Sequence, residues 1–199
     1  MKNHALALGL AAALLTTTAC GKHDNANGPG GAQTPKAQKA AGAKTIAGGL
    51  APTGRFLAVA KAAGLDQTLA GPGPYTVFVP DDAAFGSAPG GTFDISPNNR
   101  PQLTGIVTNL ILPGTVMVAD IDKAIDAGKG KAILATMGGG TLTATKDGSN
   151  TVLADSSGHK ATITHGDESY TNGVVHHVDA VLMPSKKAAT PSVGQKAGR

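Results

Sequence analysis

Four histidines in the second half of the chain are the residues most able to do chemistry. They could ligate a metal ion or act as a general base, and they are His159, His165, His176 and His177. A zinc site takes three or four nitrogen, oxygen or sulfur ligands at about 2.0–2.3 Å. The spacings here match no metal signature, and HExxH is absent. The sequence therefore predicts no metal site, and a zinc site of His159, His165 and one of the adjacent pair stays the rival interpretation.

The adjacent pair lies in the run NGVVHHVDAVLMP, which predicts a buried strand. Neighbouring residues of a strand point to opposite faces of the sheet, so two such histidines cannot easily chelate one ion. His176 shares its face with Val174 and Val178. We therefore predict a structural, hydrogen-bonded role for His176 near the core, and partial exposure for His177.

No other pattern points to catalysis. Asp81 and Asp82 could form a carboxylate pair for acid–base chemistry, but they follow the run PYTVFVP and precede AAF. An N-cap and a first-turn acid of a short helix explain both residues, so Asp81 is predicted to be structural. The glycines at 138–140 predict a loop, and a GxSxG elbow, a P-loop and a strand-linked GxGxxG are absent. We predict no enzyme, no catalytic residue and no cofactor.

The position of the single cysteine indicates protein targeting rather than catalysis. Residues 1–20, MKNHALALGLAAALLTTTAC, combine Lys2, an apolar run and small residues before Cys20, as in a secretory signal peptide. The segment resembles a bacterial lipoprotein signal, which implies lipidation of Cys20; cleavage and release is the alternative. Lys22 is not the Asp that retains lipoproteins at the inner membrane, so the resemblance implies the outer membrane.

Charge and composition divide the rest of the chain. Residues 21–44 are rich in Gly, Ala, Pro and Lys and predict a flexible linker, and residues 185–199 predict a disordered basic tail. Residues 45–184 carry eight basic and twelve acidic residues, a net charge of −4. Nucleic-acid recognition needs clustered positive charge on the folded face, so a nucleic-acid partner is excluded.

The predicted elements are helices followed by strands. Helical spacing of apolar residues occurs in RFLAVAKAAGLDQTLAG, which Gly64 interrupts, and in NNRPQLTGIVTNLILPG, where the face runs from Leu103 to Ile111. VADIDKAIDAGKG predicts a further helix, and PYTVFVP a strand buried on both faces. TLTAT and TVLAD flank KDGSN as a hairpin with an Asp-Gly turn. HKATIT and GVVHHVDAVLMP complete the strands, so the fold class is α+β.

Three blocks in this order carry a family resemblance. TVFVPDDAAF at 76–85, ILPGTV at 111–116 and NGVVHHVDAVLMP at 172–184 resemble the blocks of a fasciclin domain. The resemblance covers residues 45–184, about the whole predicted domain. It implies a single α+β domain, a wedge of β-sheet with helices packed on it, acting in surface or matrix adhesion without catalysis. His176 matches the recurring histidine of the family, which agrees with its structural role.

Two departures from the family pattern bear on function. The Tyr-His pair that often precedes the middle Pro-Gly is replaced by Asn109 and Leu110. Animal members associated with integrin binding often carry Asp-Ile before the last block; here Asp167 matches, but Glu168 stands in place of Ile. The resemblance therefore does not extend to integrin-type recognition.

The segment HGDESYTNG, residues 165–173, is the predicted partner-binding loop. It is polar, and it contains Asp167, Glu168 and the aromatic Tyr170. Gly173 completes an Asn-Gly turn and is predicted to be structural. The predicted partner is an envelope or extracellular protein or polysaccharide, and the membrane is contacted through the lipid at Cys20. The alternatives are an envelope structural protein without a specific ligand and a histidine-based metal-binding periplasmic protein.

Overall fold

The computed structural model describes residues 44–88 and 90–184. The predicted signal peptide, the lipidation site Cys20, nearly all of the linker and the basic tail lie outside the described residues. The helices are α1 Ile46–Gly49, α2 Arg55–Ala63, α3 Asp66–Ala70, α4 Arg100–Asn109 and α5 Val118–Ala127, with 3₁₀ turns at Asp82–Ser87 and Pro97–Asn99. The strands are β1 Tyr75–Pro80, β2 Ile111–Pro113, β3 Ala132–Ala135, β4 Thr141–Asp147, β5 Asn150–Ala154, β6 Lys160–Tyr170 and β7 Gly173–Val178.

Helix α2 forms where the sequence predicts it. Its buried side chains recur at helical spacing, with Phe56 and Val59 on one turn and Ala60 and Ala63 on the next. Gly64 ends the helix in the left-handed conformation, with φ of 78°, which a residue without Cβ adopts at little cost. The chain then turns directly into α3. The predicted interruption at Gly64 is confirmed.

Helix α4 is shorter than predicted. It ends at Asn109, and Ile111, which we expected on its apolar face, lies in strand β2 instead. Ile111 pairs with Val77 of β1, and its side chain is fully buried in the sheet. A short apolar run satisfies a helix and a strand equally well, and the neighbouring strand decided between them.

Within the described residues, the strands form one seven-stranded sheet in the order β2-β1-β7-β6-β5-β4-β3. Strands β1 and β7 pair in parallel, and the other neighbours are antiparallel. The segment after β3 returns to β2, where the Met137 N–H donates to the Ile111 carbonyl at 2.8 Å. The two edges of the sheet therefore approach each other. The predicted α+β class is confirmed.

Strand β1 lies in the interior of this sheet, between β2 and β7, and all its residues except Tyr75 are buried. This arrangement explains the continuous apolar run and confirms the prediction. Phe56, Phe78 and Phe85 all belong to the core. In the part of the chain that the structure describes, no helix is long and apolar enough to cross a membrane.

The predicted hairpin forms between β4 and β5. Asp147 pairs with Asn150, so Gly148 and Ser149 are the two turn residues. Gly148 adopts φ of 59°, as a two-residue hairpin turn requires. The sequence signal therefore located the hairpin, although the turn is centred one residue later than the Asp-Gly pair.

Candidate functional site

His176 is buried within the sheet, and both nitrogens of its ring are hydrogen-bonded. It pairs with Phe78 of β1, and its side chain has no solvent exposure. Its Nε2 lies 2.8 Å from the Val116 carbonyl oxygen, and its Nδ1 accepts a hydrogen bond from the Asp167 N–H at 3.0 Å. A backbone N–H can only donate, so Nδ1 is unprotonated and Nε2 carries the hydrogen.

The environment keeps this ring neutral. Burial lowers the pKa of His176 and outweighs both the hydrogen bond to the Val116 carbonyl and the nearby Asp167 carboxylate, which raise it. With both nitrogens engaged by backbone groups, His176 has no lone pair free for a metal or a substrate. The geometry assigns it to joining β7, β6 and the segment before α5.

Strand β6 bulges where it meets His176. The register with β7 shifts between Ile163 and His165, and again between His165 and Glu168. The second bulge places Asp167 in the left-handed region with φ of 64°, a conformation that Asp tolerates better than most residues. The bulge directs the Asp167 N–H at His176 and its Oδ1 at the N–H of Val118, 2.8 Å away.

Asp167 therefore anchors helix α5. Val118 is the first residue of that helix, where backbone N–H groups lack intrahelical partners, and the carboxylate satisfies one of them. A Cβ on Gly166 would approach the Val118 side chain to 2.5 Å, so this close contact needs glycine. The residue predicted for partner binding has a structural contact of its own.

A second group of hydrogen-bonded polar side chains lies on the solvent-facing side of the same strands. The Tyr170 hydroxyl donates to Glu168 Oε1 at 2.7 Å, and Glu168 Oε2 lies 3.1 Å from His177 Nε2. The other ring nitrogen of His177 is 3.8 Å from Asp81 Oδ1. The tertiary structure thus brings the predicted segment of β6 together with Asp81, about 90 residues earlier in the chain.

These contacts set the charge states of Glu168 and Tyr170. Burial by itself would raise the pKa of Glu168, but the hydrogen bonds from Tyr170 and His177 outweigh it and hold the pKa below its usual range. Burial, followed by the adjacent Glu168 carboxylate, raises the pKa of Tyr170. Glu168 is therefore ionised and Tyr170 is protonated at neutral pH, so this face carries negative charge.

A cleft of about 220 Å³ opens beside His177. Its walls are mostly apolar, and its polar side chains are Asp81, Asp82 and His177. The walls come from the end of α1, the turn before α2, the first turn of α2 and the end of β1: Leu50, Ala51, Gly54, Phe56, Leu57, Val79 and Pro80.

Asp81 and Asp82 occupy the predicted N-cap and first-turn positions, but the capping contact expected of the Asp81 side chain is not formed. Asp81 occupies the N-cap position of the 3₁₀ turn Asp82–Ser87, but its side chain makes no capping hydrogen bond. Asp82 does cap a helix, although a different one: its Oδ1 accepts from the N–H of Arg55, the first residue of α2, at 2.9 Å. The carboxylate of Asp81 is instead directed towards His177 at the cleft.

Residues 165–173 lie at the surface as predicted, with His165, Asp167 and Thr171 exposed, but the prediction that they form a loop is wrong. Residues 165–170 belong to strand β6, and a two-residue turn leads into β7. Tyr170 is only partly exposed, because its ring packs against α1 so closely that a Cβ on Gly49 would overlap it. Asp167 is exposed and Glu168 is partly exposed. The prediction failed because a polar, bulged strand lacks the alternation that identifies strands.

The turn contains a residue whose role the sequence did not reveal. Asn172 is buried; its Oδ1 accepts from the Ile46 N–H, and its Nδ2 donates to the Leu69 and Gly71 carbonyls. The sequence identifies this residue only as part of an Asn-Gly turn signal. Gly173 has a structural role, because a Cβ at this position would overlap the backbone of Tyr75.

Asp155 is the second residue that sequence reasoning missed. Its Oδ1 accepts from the Ser157 and His159 backbone N–H groups, and its Oδ2 accepts from the Met183 N–H and contacts the His159 ring. An Asp followed by Ser-Ser-Gly is a turn signal that could have indicated the local bonds. The bond to Met183, 28 residues later, has no local signal.

The four histidines that the structure describes do not assemble into a metal site. His159 pairs with Asp155 at 2.8 Å, His176 bonds backbone groups, and the His165 and His177 rings lie 6.2 Å apart. Within residues 44–88 and 90–184, no group of three or more His, Cys, Asp or Glu side chains could hold a metal ion.

Comparisons with known proteins agree on one family. The model of the fasciclin domain matches residues 52–184. Protein sll1483 of Synechocystis sp. is 33% identical over 142 residues, which are 70% of this chain and 71% of that protein. The immunogenic protein MPB70 of Mycobacterium bovis is 30% identical over 112 residues, which are 56% of this chain and 51% of that protein.

A solved structure shares the fold. The FAS1 domain pair from the insect cell adhesion molecule fasciclin I superposes with a TM-score of 0.51 at 21% identity, over 64% of this chain and 44% of that chain. The chain thus spans about half the length of MPB70 and less than half of the insect pair. With its three sequence blocks lying in β1, β2 and β7 and the family model matched from residue 52 to the end of the described domain, this chain belongs to the fasciclin domain family.

Proposed function

We propose that this chain is a non-catalytic adhesion or ligand-binding module of the bacterial cell envelope, held to the membrane by a lipid on Cys20. One observation carries the binding role: the ionised Glu168 lies at the surface on strand β6, where it pairs with Val175 of β7, beside His177 and the cleft. Binding groups held on a rigid scaffold need little ordering when they bind. The similarity to an insect cell adhesion molecule supports an adhesive role.

The same geometry supports a role without catalysis. A general base needs a nitrogen or carboxylate free to reach a substrate proton. His176 has both ring nitrogens bonded to the backbone, and Asp167 accepts from Val118. These two polar side chains are therefore used to join elements of the domain.

Adhesion can be tested with beads that carry the purified protein. We expect saturable binding to intact cells of the source bacterium, which free protein competes away. Glu168→Gln keeps the hydrogen-bonding shape but removes the charge, so it should weaken bead binding several-fold. Asp147→Asn, the same change at an exposed position on the β4–β5 hairpin, should leave binding unchanged. Bead binding that free protein cannot compete away would favour an envelope structural protein without a specific ligand.

Lipid anchoring has a separate test. Cys20→Ser should move the protein from the membrane fraction to the soluble envelope fraction, because the thiol that carries the lipid is lost. Mass spectrometry of the wild-type N-terminus should show a diacylglyceryl modification at Cys20. A soluble wild-type protein whose N-terminus is another residue would refute the lipid anchor and leave the binding role to its own test.

A further inference from the structure

The mouth of the cleft carries two exposed carboxylates, those of Asp81 and Asp82. Asp81 and Asp82 are exposed, and in the described part of the chain no Lys or Arg side chain pairs with either of them. The neighbour of Asp81 is His177, which Glu168 also contacts from the other side. Two carboxylates, those of Asp81 and Glu168, therefore share one imidazole at this end of the cleft.

The walls behind these carboxylates are apolar and fixed in place. Phe56 and Leu57 belong to the first turn of α2, and Val79 belongs to β1 in the interior of the sheet. The Asp82 carboxylate caps α2 and so links the two sides of the cleft. The cleft is therefore formed before any ligand arrives, which limits the entropy lost on binding.

The cleft is small. Its volume of about 220 Å³ lies below the roughly 300–1,000 Å³ of pockets that take drug-sized ligands or cofactors. It suits one long side chain. An apolar floor with carboxylates at the mouth complements a group that has an aliphatic stem and a cationic end, which is the chemistry of lysine and arginine.

We propose that this cleft binds a lysine or arginine side chain of a protein partner, with the aliphatic stem against Leu57 and Val79 and the cation at Asp81 and Asp82. This inference rests on the proposed binding function and names the chemistry of its partner. A neutral polysaccharide offers neither an aliphatic stem nor a cation, so the apolar walls favour a protein segment. The net charge of −4 over residues 45–184 would attract such a segment from a distance.

The probe is an acetylated and amidated pentapeptide, Gly-Leu-Lys-Leu-Gly, titrated into ¹⁵N-labelled protein at pH 7. We expect saturable shifts of the amide signals of Ala51, Leu57 and Asp82. Arginine in place of the lysine should preserve binding, whereas norleucine, which keeps the stem and removes the charge, should weaken it at least tenfold. Added salt should weaken the lysine peptide as well, because the mouth of the cleft is exposed.

Matched variants locate the site. Asp81→Asn should weaken the lysine peptide about tenfold, and Asp126→Asn, the same change at an exposed position of α5, should have no effect. Ala51→Leu places a larger side chain on the rim of the cleft and should block binding without removing a charge. Each variant is checked for an unchanged melting temperature, so that a loss of binding reports on the cleft.

Three results would overturn the proposal: no saturable shift, shifts that lie away from the cleft, or equal binding of the lysine and norleucine peptides. If free protein competes with bead adhesion but the peptides do not bind the cleft, this inference is rejected and the proposed adhesive function stands. If the peptides bind the cleft but the beads do not adhere, the adhesive function is rejected and the cleft stands as a binding site.

Discussion

Removal of the Asn172 amide tests how the domain holds its first helices onto the sheet. Asn172 sits between β6 and β7, and its side chain satisfies three backbone groups: the N–H of Ile46 and the carbonyls of Leu69 and Gly71. The distances are 2.8, 2.9 and 2.8 Å, so all three are well-formed bonds. The amide orientation follows from its partners, because an N–H needs an acceptor and carbonyls need a donor.

The expected cost of Asn172→Ala follows from this count. Each buried hydrogen bond contributes about 1 kcal/mol net, so the loss of three should destabilise the domain by about 3 kcal/mol. For a domain of this size, 1 kcal/mol corresponds to roughly 2–4 °C in melting temperature, so we expect Tm to fall by about 10 °C. Thermal and urea unfolding, followed by circular dichroism, measure both quantities.

Asn172→Asp is the more specific test, because the Asp side chain has the same shape as the Asn side chain. It keeps the acceptor for Ile46 but turns a carboxylate oxygen towards the Leu69 and Gly71 carbonyls, so at pH 7 it should cost more than Asn172→Ala. Burial against two carbonyls raises the pKa of an Asp in the folded state above its unfolded value of about 3.9. The penalty is therefore present above the folded pKa and shrinks as the pH falls towards 3.9.

The stability gap between Asn172→Asp and wild type should thus narrow from pH 7 to pH 4.5, while the gap for Asn172→Ala stays constant. Comparing differences removes the acid sensitivity that all three proteins share. A loss below 1 kcal/mol for Asn172→Ala would show that these contacts do not hold the helices. A gap for Asn172→Asp that does not change with pH would refute the buried-carboxylate reasoning.

Three further predictions concern other polar contacts. The stability of wild type should fall as the pH drops below about 6.5, because the unfolded chain takes up a proton at His176 before the folded state does; His176→Gln should reduce this slope in urea unfolding at pH 7 and pH 5.5. Asp167→Ala should cost about 1–2 kcal/mol through the lost contact to Val118 and its positive φ, whereas Asp167→Asn should cost little; equal stabilities would contradict the anchoring role. Asp155→Ala should destabilise by more than 2 kcal/mol and speed hydrogen exchange at Met183, and an unchanged exchange rate would count against that link.

The sequence by itself determined the family and most of the elements. The apolar run of β1, the periodicity of α2 with its stop at Gly64, and the hairpin around Gly148 are local patterns, and each forms where it was predicted. Local patterns suffice there because side-chain periodicity and turn chemistry depend on neighbouring residues. The alternation of faces along a strand also predicted that His176 and His177 point to different environments.

Only the tertiary structure decided what the polar residues do. Asp167 contacts Val118, 49 residues earlier, and the Asn172 side chain bonds Ile46, 126 residues earlier. The pairing of β1 with β7 places Asp81 beside His177 and so completes the cleft. A hydrogen-bonding side chain carries no information in its sequence neighbourhood about a partner a hundred residues away. Its role is therefore fixed only when strand register and bulges bring the two groups within about 3 Å of each other.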